Sequence, residues 1–167
     1  MRNKSICGLV TELGGIFVPR KMKIAVAESC TGGMLASAIV GDVNASPIID
    51  RAFVVYSIDA KCEMLGLART RVEECGGVAE DVARAMAESA LDRSHADLAV
   101  AITGFAGPRE SDEEVGLIHV ASAAKDGIRH RVLHLGDIGR TAACEAAVRV
   151  ALEMAVDHAK KITVAPN

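Results

Sequence analysis

Apolar residues fall into short runs along this chain, and the runs predict where the strands lie. The segment DLAVAIT at 97–103 is apolar almost throughout, which is typical of a strand buried on both faces. Four further runs are predicted strands: KIAVAE at 23–28, AFVVYS at 52–57, VGLIHVAS at 115–122 and IRHRVLHL at 128–135. The last two flank Asp126-Gly127, a dipeptide that favours a hairpin turn.

Segments with helical periodicity separate most of these runs. After Asp81 the apolar residues Val82, Met86 and Ala90 recur at helical spacing, which predicts a helix over 81–94. The other predicted helices cover 4–13 (closed by Gly14-Gly15), 31–40, 59–65 and 139–160. Helices that alternate with strands, followed by a hairpin, predict an α/β fold. We expect a three-layer α/β/α sandwich with a mixed, mostly parallel sheet.

Composition favours one domain with an aliphatic core. The 167 residues suit a single domain spanning 1–167, and half of them are hydrophobic although only 2% are aromatic. The net charge of −3 leaves no basic surface for nucleic acid, and the scarcity of aromatic residues leaves few platforms for stacking bases. A nucleic-acid partner is therefore not expected.

The cysteine pattern indicates a cytoplasmic protein without a metal. Five cysteines occur without CxxC spacing or a histidine cluster, so neither a disulfide framework nor a zinc site is predicted. No apolar run approaches the ~18 residues of a membrane span, and no secretion signal is evident at the N-terminus. We expect no membrane association. A homodimer or higher homo-oligomer is expected, with the apolar segment SPIIDRAF at 46–53 as a self-complementary contact.

The segment AESCTGG at 27–33 stands where a predicted strand ends and a helix begins. Ligands of open α/β sheets bind at such an edge, and the N–H groups of the following turn can hold an anion or a developing oxyanion. Ser29 is therefore a candidate nucleophile, with the backbone N–H groups of residues 30–33 as oxyanion donors. The alternative is that Ser29 or Thr31 only caps the helix. The glycine pair matches neither common phosphate-binding pattern and does not decide between the two.

A serine nucleophile needs a base, and Lys61 is the best-placed candidate. None of the five histidines lies at a strand-to-helix junction, so the pattern shows no Ser-His-Asp arrangement. Lys61 follows the predicted strand at 52–57 and opens a short helix. To act as a base at neutral pH, its pKa has to fall from ~10.4 to about 7–8, which burial can supply. The alternative is a solvated surface lysine.

Several blocks in order along the chain resemble one known family. They are AESCTGG at 27–33, VVYSIDAK at 54–61, the segment 65–90, ADLAVAITGFAGP at 96–108 and VGLIHVA at 115–121. Together they resemble the C-terminal domain of the competence/damage-inducible CinA family over about residues 4–155. The resemblance implies the short, one-domain form without the family's molybdopterin-binding-like domain. It also implies a sheet topology like that of anticodon-binding domains.

The family includes nicotinamide-mononucleotide deamidases that use a Ser/Lys dyad. The resemblance therefore implies an amidohydrolase with Ser29 as nucleophile, Lys61 as base and Tyr56 as a third catalytic residue, with no cofactor and no metal. The expected partner is a small-molecule nucleotide substrate. Glu28 is expected either to orient the dyad or to act only as a structural cap. The full set of expected substrate-binding residues is Glu28, Cys30, Thr31, Gly32, Gly33, Ser46, Thr103, Gly104 and Arg140.

The chain also departs from the family pattern around the expected site. Ala79 replaces a serine, RESDEE at 109–114 replaces glycines, and Cys144 stands where the family has a second arginine, although Arg140 remains. The segment 44–53 lacks the family's aromatic residue and glycines. Losing an arginine weakens phosphate recognition. The alternative function is therefore a nucleotide-binding or partner-binding module without catalysis, and a role in DNA uptake lacks a supporting basic patch.

Overall fold

A computed structural model describes residues 4–163 of the chain. Its helices are α1 (Ile6–Phe17), α2 (Met34–Val40), α3 (Ile58–Leu65), α4 (Arg69–Glu74), α5 (Glu80–Asp92) and α6 (Arg140–Ala159). Its strands are β1 (Ile24–Glu28), β2 (Ile49–Val54), β3 (Leu98–Gly104), β4 (Leu117–Ala124) and β5 (Gly127–His134). Within these residues no helix has both the length and the apolar character needed to cross a bilayer.

The five strands form one mixed sheet in the order β2-β1-β3-β4-β5. β1 pairs in parallel with both β2 and β3, whereas β4 is antiparallel to β3 and to β5. Four strands therefore run in one direction and β4 alone runs in the other. The carboxyl ends of β1, β2 and β3 meet at a single edge of the sheet, which is the edge where ligands bind in such folds.

The two faces of the sheet carry side chains of different size. Larger residues such as Val26, Val100 and Ile118 face α1, α2 and α6, while alanines such as Ala99 and Ala101 face α3, α4 and α5. Helix α5 presents small residues of its own to this second face, so helix and sheet pack closely. Helices therefore cover both faces, and the expected three-layer α/β/α sandwich is confirmed.

Three predicted elements, α1, α2 and β2, have a bound that is wrong by three or more residues. Helix α1 continues to Phe17, because Gly14 lies inside the helix, where a Cβ would stand 3.1 Å from Ala45 Cβ. Helix α2 begins only at Met34, because Gly32 and Gly33 have positive φ values. Strand β2 covers Ile49–Val54 rather than 52–57. The 46–53 segment buries Ile48 in the core, and the homo-oligomer stays a prediction.

A Ser-His-Asp arrangement that the sequence pattern did not show is present inside the fold. Ser122 Oγ lies 2.8 Å from His158 Nδ1, and His158 Nε2 lies 2.8 Å from Asp126 Oδ1. Burial lowers the pKa of His158, so the ring is neutral; Nε2 donates its hydrogen to the carboxylate, and Nδ1 accepts one from Ser122. Ser122 and His158 are fully buried, so no substrate reaches them. The arrangement joins α6 to the β4–β5 hairpin.

Replacing Ser122 by alanine is expected to lower the free energy of unfolding by about 1–3 kcal/mol, because His158 Nδ1 loses its buried hydrogen-bond donor. Urea denaturation of the parent and variant measures the difference. Ser46→Ala serves as a matched control, since the Ser46 hydroxyl is exposed and donates only to the neighbouring carbonyl of Val43. Equal losses in the two variants would contradict the structural role of Ser122.

Candidate active site

Ser29 and Lys61 meet at the carboxyl edge of the parallel strands. Ser29 directly follows β1, and its N–H continues the ladder by donating to the carbonyl of Ile102 at 3.0 Å. Lys61 lies in the first turns of α3, whose N-cap Ser57 accepts a hydrogen bond from the N–H of Ala60. These two anchored backbones bring Ser29 Oγ and Lys61 Nζ to 2.9 Å from each other.

The direction of each side chain follows from the pleat of β1. Residues on a strand alternate between the two faces of the sheet. Glu28 has the parity of Val26 and points to the α2 face, whereas Ser29 has the parity of Ala27 and points to the α3 face. Ser29 therefore contacts Lys61, whereas the carboxylate of Glu28 lies on the opposite face of the sheet.

The Lys61 amine is buried among neutral acceptors. Its Nζ lies 2.9 Å from the carbonyl oxygen of Val55 and 3.2 Å from that of Tyr56, and the residue is only 3% exposed. Burial lowers the pKa of Lys61 below its usual range, because the charged form loses its hydration. A neutral amine has two N–H donors and one lone pair. In that neutral state the two carbonyls accept the N–H donors, and the lone pair is left to accept the hydrogen of the Ser29 hydroxyl.

A cavity of about 240 Å³ opens beside this pair. Ser29, Cys30, Tyr56 and Lys61 form one side of it. The loop at 104–108, which carries the FAGP sequence, and the first residue of α6, Arg140, contribute to the lining. The charged loop that follows contributes Glu110, Ser111 and Glu113. A cavity with this mixture of polar and charged lining residues has the chemistry of a site for a polar small molecule.

Six of the predicted site residues line this cavity. They are Ser29, Lys61, Tyr56, Cys30, Gly104 and Arg140. Tyr56 is 63% exposed at the cavity mouth. Arg140 donates from Nη1 to the carbonyl of Gly107 at 2.8 Å and from Nη2 to that of Cys30 at 3.5 Å. At Gly104 a Cβ would lie 2.7 Å from Leu117 O, so β3 and β4 approach closely there.

Glu28 is a helix cap rather than a substrate contact. Its carboxylate accepts hydrogen bonds from the Thr31 hydroxyl at 2.6 Å and from the N–H groups of Leu35 and Ala36 at 3.0 and 2.8 Å. The residue has no exposed surface. Glu28 therefore does not line the cavity, and the structural alternative, a cap, describes its contacts. Thr31 is engaged with this carboxylate and does not line the cavity either.

The turn at 29–33 leaves some of its backbone donors available. The N–H of Gly32 donates to the carbonyl of Ser29 at 3.0 Å, so it cannot serve an oxyanion. Within residues 4–163, no protein acceptor takes the N–H of Cys30, Thr31 or Gly33. Neither Gly32 nor Gly33 lines the cavity with its own atoms. The predicted oxyanion donors are thereby reduced from four consecutive residues to three.

Two predicted substrate-binding residues lie elsewhere. Ser46 precedes β2, whose first residue pairs with the first residue of β1, so Ser46 is at the amino edge of the sheet, opposite Ser29. Thr103 is fully buried and donates its hydroxyl to the carbonyl of Gly77 at 2.6 Å. Neither residue lines the cavity: Ser46 lies at the opposite edge of the sheet, whereas Thr103 shares the face of Ser29 and Lys61 but gives its hydroxyl to the Gly77 carbonyl and has no exposed surface.

Several residues at or behind the cavity were missed by the sequence analysis, and two of them shape its geometry. Phe105, the variable residue of the TGxAGP block, lines the cavity and is one of only three phenylalanines in the chain. Gly77 is buried with φ +76°, and a Cβ there would lie 3.1 Å from Lys61 Cε. The glycine pair at 76–77 was a signal for a special backbone conformation. Its proximity to Lys61 depends on tertiary packing and had no local signal.

Two cysteines lie beside the dyad, and neither is a competing nucleophile. Burial raises the pKa of Cys30 to about 12, and burial also raises the pKa of Cys144. The Cys144 thiol donates to the carbonyl of Cys30 at 3.4 Å. Both thiols are therefore protonated at neutral pH, which leaves the Ser29 hydroxyl as the available nucleophile. Among residues 4–163 no cluster of His, Cys, Asp and Glu is suited to hold a metal ion.

Comparisons with known proteins point to one family. Residues 8–158 match the family described as "CinA C-terminal domain". The nicotinamide-nucleotide amidohydrolase PncC of Enterobacter agglomerans is 38% identical over 129 residues, which are 76% of this chain and 79% of that protein. A putative competence-damage inducible protein of Caldicellulosiruptor bescii is 40% identical over 116 residues, or 68% of this chain. The match covers only 28% of that longer relative.

Solved structures show the same fold. The crystal structure of the competence/damage inducible protein CihA from Agrobacterium tumefaciens superimposes with a TM-score of 0.89 at 40% identity, covering 95% of this chain and 97% of that one. A CinA superfamily protein from Escherichia coli superimposes with a TM-score of 0.84 at 30% identity, covering 92% and 90%.

Proposed function

Because the chain belongs to the CinA C-terminal domain family, we propose that it is an amidohydrolase that converts nicotinamide mononucleotide to nicotinic acid mononucleotide and ammonia. The observation that carries the proposal is the 2.9 Å contact between Ser29 Oγ and Lys61 Nζ in a buried, carbonyl-lined position. The PncC relative supports the reaction class by its name. We propose further that the chain forms a single domain that acts in the cytoplasm, where its free thiols remain reduced.

The proposed reaction begins with the transfer of one proton. Neutral Lys61 takes the proton of the Ser29 hydroxyl while Oγ attacks the carboxamide carbon of the substrate. The tetrahedral intermediate collapses when Lys61 returns that proton to the amide nitrogen and ammonia leaves. A water molecule then adds to the ester on Ser29 while Lys61 takes one of its protons. The ester C–O bond breaks, Lys61 returns that proton to Ser29 Oγ, and the acid product leaves and ionises in water. Each step leaves Lys61 ready for the next.

The backbone of the turn after Ser29 is the proposed oxyanion site. The negative oxygen of the tetrahedral intermediate needs two or so N–H donors that make no other hydrogen bond. The N–H groups of Cys30, Thr31 and Gly33 make no other hydrogen bond among the described residues, and of these three residues only Cys30 lines the cavity. They belong to the same short turn as the nucleophile, so their positions are fixed together with Ser29.

The charges of the cavity favour one orientation of the nucleotide. Arg140 is the proposed phosphate contact, because its guanidinium lines the cavity and the phosphate carries negative charge. Glu113 lines the same cavity. Hydrogen bonds from the N–H of Glu110 and then from the Ser111 hydroxyl lower the pKa of Glu113 to about 2, so its carboxylate stays charged. The cationic pyridinium ring is better placed near this loop than the phosphate is.

The same acidic loop supports a second candidate function. The negatively charged side chains of Glu110 and Glu113 line the cavity and repel a phosphate bound there. In addition, Cys144 replaces the family's second arginine. Weaker phosphate binding is compatible with a nucleotide-binding module without turnover. The two candidate functions differ in one measurable product, which is ammonia.

Ammonia release from nicotinamide mononucleotide separates the two functions. We expect release that is proportional to enzyme concentration, with glutamine and free nicotinamide turned over far more slowly, because neither offers a phosphate to Arg140. A thermal-shift assay is run on the same samples. Thermal stabilisation by the nucleotide without any ammonia release would favour the binding module. The absence of both stabilisation and ammonia release would contradict both functions.

A further inference from the structure

We propose that Thr103 is a positioning residue for Lys61, acting through the backbone of Gly77 rather than touching the substrate. The inference rests on the proposed function, since it assigns Thr103 a role in presenting the base to Ser29. Lys61 belongs to α3, Gly77 to the turn between α4 and α5, and Thr103 to β3. The three residues come from separate elements and meet directly behind the dyad.

The Thr103 hydroxyl is committed to the turn. It donates to the Gly77 carbonyl at 2.6 Å, and the residue has no exposed surface. On β3 the residue has the parity of Ala99 and Ala101, so it points to the face that carries α3, α4 and α5. Its position and its hydrogen bond therefore direct it to the turn at 76–78, whose residues Gly76 and Val78 line the cavity, while Thr103 itself does not.

Gly77 in turn forms a wall against the lysine side chain. A Cβ at Gly77 would lie 3.1 Å from Lys61 Cε and 3.4 Å from Nζ, so the glycine backbone packs against the end of the side chain. Gly77 is buried with φ +76°, and its N–H donates to the carbonyl of Val72 at 2.7 Å. This turn belongs to no strand ladder, and the Thr103 hydroxyl ties it to the central strand of the sheet.

The lysine amine is consequently held from two sides. The carbonyls of Val55 and Tyr56 contact Nζ from the segment after β2, while the Gly77 backbone contacts the Cε–Nζ end. If the Thr103 hydroxyl is removed, the buried Gly77 carbonyl loses its donor and the turn is free to move away. The amine then shifts and gains water. A displacement of about 1 Å at a reacting group can lower a rate by ~100-fold.

The test measures how fast Ser29 reacts with a fluorophosphonate at a series of pH values. In this reaction Ser29 Oγ bonds to phosphorus, fluoride leaves with the electron pair of the P–F bond, and Lys61 takes the serine proton. The probe needs the dyad but not the natural substrate. Ammonia release from nicotinamide mononucleotide is measured in parallel, so a parent protein that is labelled but releases no ammonia refutes the proposed function and leaves the role of Thr103 testable.

Thr103→Val keeps the shape and removes the hydroxyl. We expect labelling to slow by ~10- to 100-fold and the midpoint of its pH dependence to move to higher pH, because a hydrated Lys61 holds its proton more tightly. Thr103→Ser restores the hydroxyl and is expected to restore both quantities. Gly77→Ala, which pushes on Lys61 directly, is expected to slow labelling similarly and stands in if Thr103→Val does not fold. Ser122→Ala is the control for loss of a buried hydroxyl distant from the dyad.

Three outcomes would overturn the inference. The first is parent-like labelling and pH midpoint in Thr103→Val. The second is slower labelling of Thr103→Val with an unchanged midpoint of its pH dependence. That result would indicate a general loss of stability, as expected of Ser122→Ala, and no effect on the pKa of Lys61. The third is a parent protein that the probe does not label, because Lys61 then activates no serine for Thr103 to position.

Discussion

Ser29→Ala is expected to reduce kcat/KM for nicotinamide mononucleotide by at least about a thousandfold, with the fold intact. The substitution removes one oxygen atom that is 2.9 Å from Lys61 Nζ, and Ser29 Oγ is the atom that forms the covalent ester. Neither Cys30 nor Cys144 can replace it, because burial keeps both thiols protonated. Ammonia release measures turnover, and substrate affinity is measured separately by calorimetry. Affinity should change little, since the hydroxyl acts mainly in the transition state.

Ser122→Ala is the matched control for Ser29→Ala. Ser122 has a histidine and an aspartate beside it, which is the more familiar hydrolase arrangement, but it has no exposed surface. The control variant should lose stability and keep its turnover, whereas Ser29→Ala should lose turnover and keep its stability. The reverse pattern would show that the nucleophile had been assigned to the wrong serine.

The layer order and the closeness of Ser29 to Lys61 could be predicted from the sequence because both depend on local signals. Alternating helices and apolar runs define the sandwich, and motif blocks indicated Ser29 and Lys61. The expected direction of the strands also placed both residues at one edge of the sheet. What the pattern could not give was the face on which each side chain lies, because that requires the strand register to within one residue.

Strand β2 shows the consequence of an error in the predicted strand bounds. The sequence predicted a strand at 52–57, in which the carbonyls of Val55 and Tyr56 would have bonded to a neighbouring strand. The strand instead ends at Val54, and both carbonyls turn to Lys61. The shift of three residues is therefore what supplies the acceptors of the base. The run of apolar residues continues past Val54, so it does not show where the strand ends.

Thr103 and Ser46 show two other limits of motif transfer. A motif indicates which residues belong to a site, but it does not tell residues that contact the substrate from residues that hold the site in place. Thr103 is proposed to be of the second kind, because it bonds to the Gly77 carbonyl. Ser46 lies in a segment where the chain departs from the family pattern, and the structure puts it at the far edge of the sheet. Glu28 belongs to the most specific motif and still has a purely structural set of contacts.

Lys61→Met is expected to lower kcat by about a thousandfold, within the range that a positioned general base contributes. Methionine fills a similar volume and carries no basic nitrogen, so the Ser29 hydroxyl keeps its proton. In the parent, kcat/KM should rise with pH as Lys61 loses its proton. Because burial lowers the pKa of Lys61, this rise should occur below the ~10.4 of a free lysine. The residual rate of the variant should lack this rise.

The same substitution tests the protonation state without reference to any substrate. The unfolded chain holds the Lys61 proton up to a pKa of ~10.4, whereas the folded chain releases it at lower pH. Between those two pKa values the unfolded state binds more protons, so the free energy of unfolding of the parent rises with pH. Lys61→Met has no such group. The parent should therefore gain stability relative to the variant between pH 7 and 10, as measured by urea denaturation. A constant difference over that range would mean that the buried amine is charged, and a charged amine has no lone pair with which to accept the proton of Ser29.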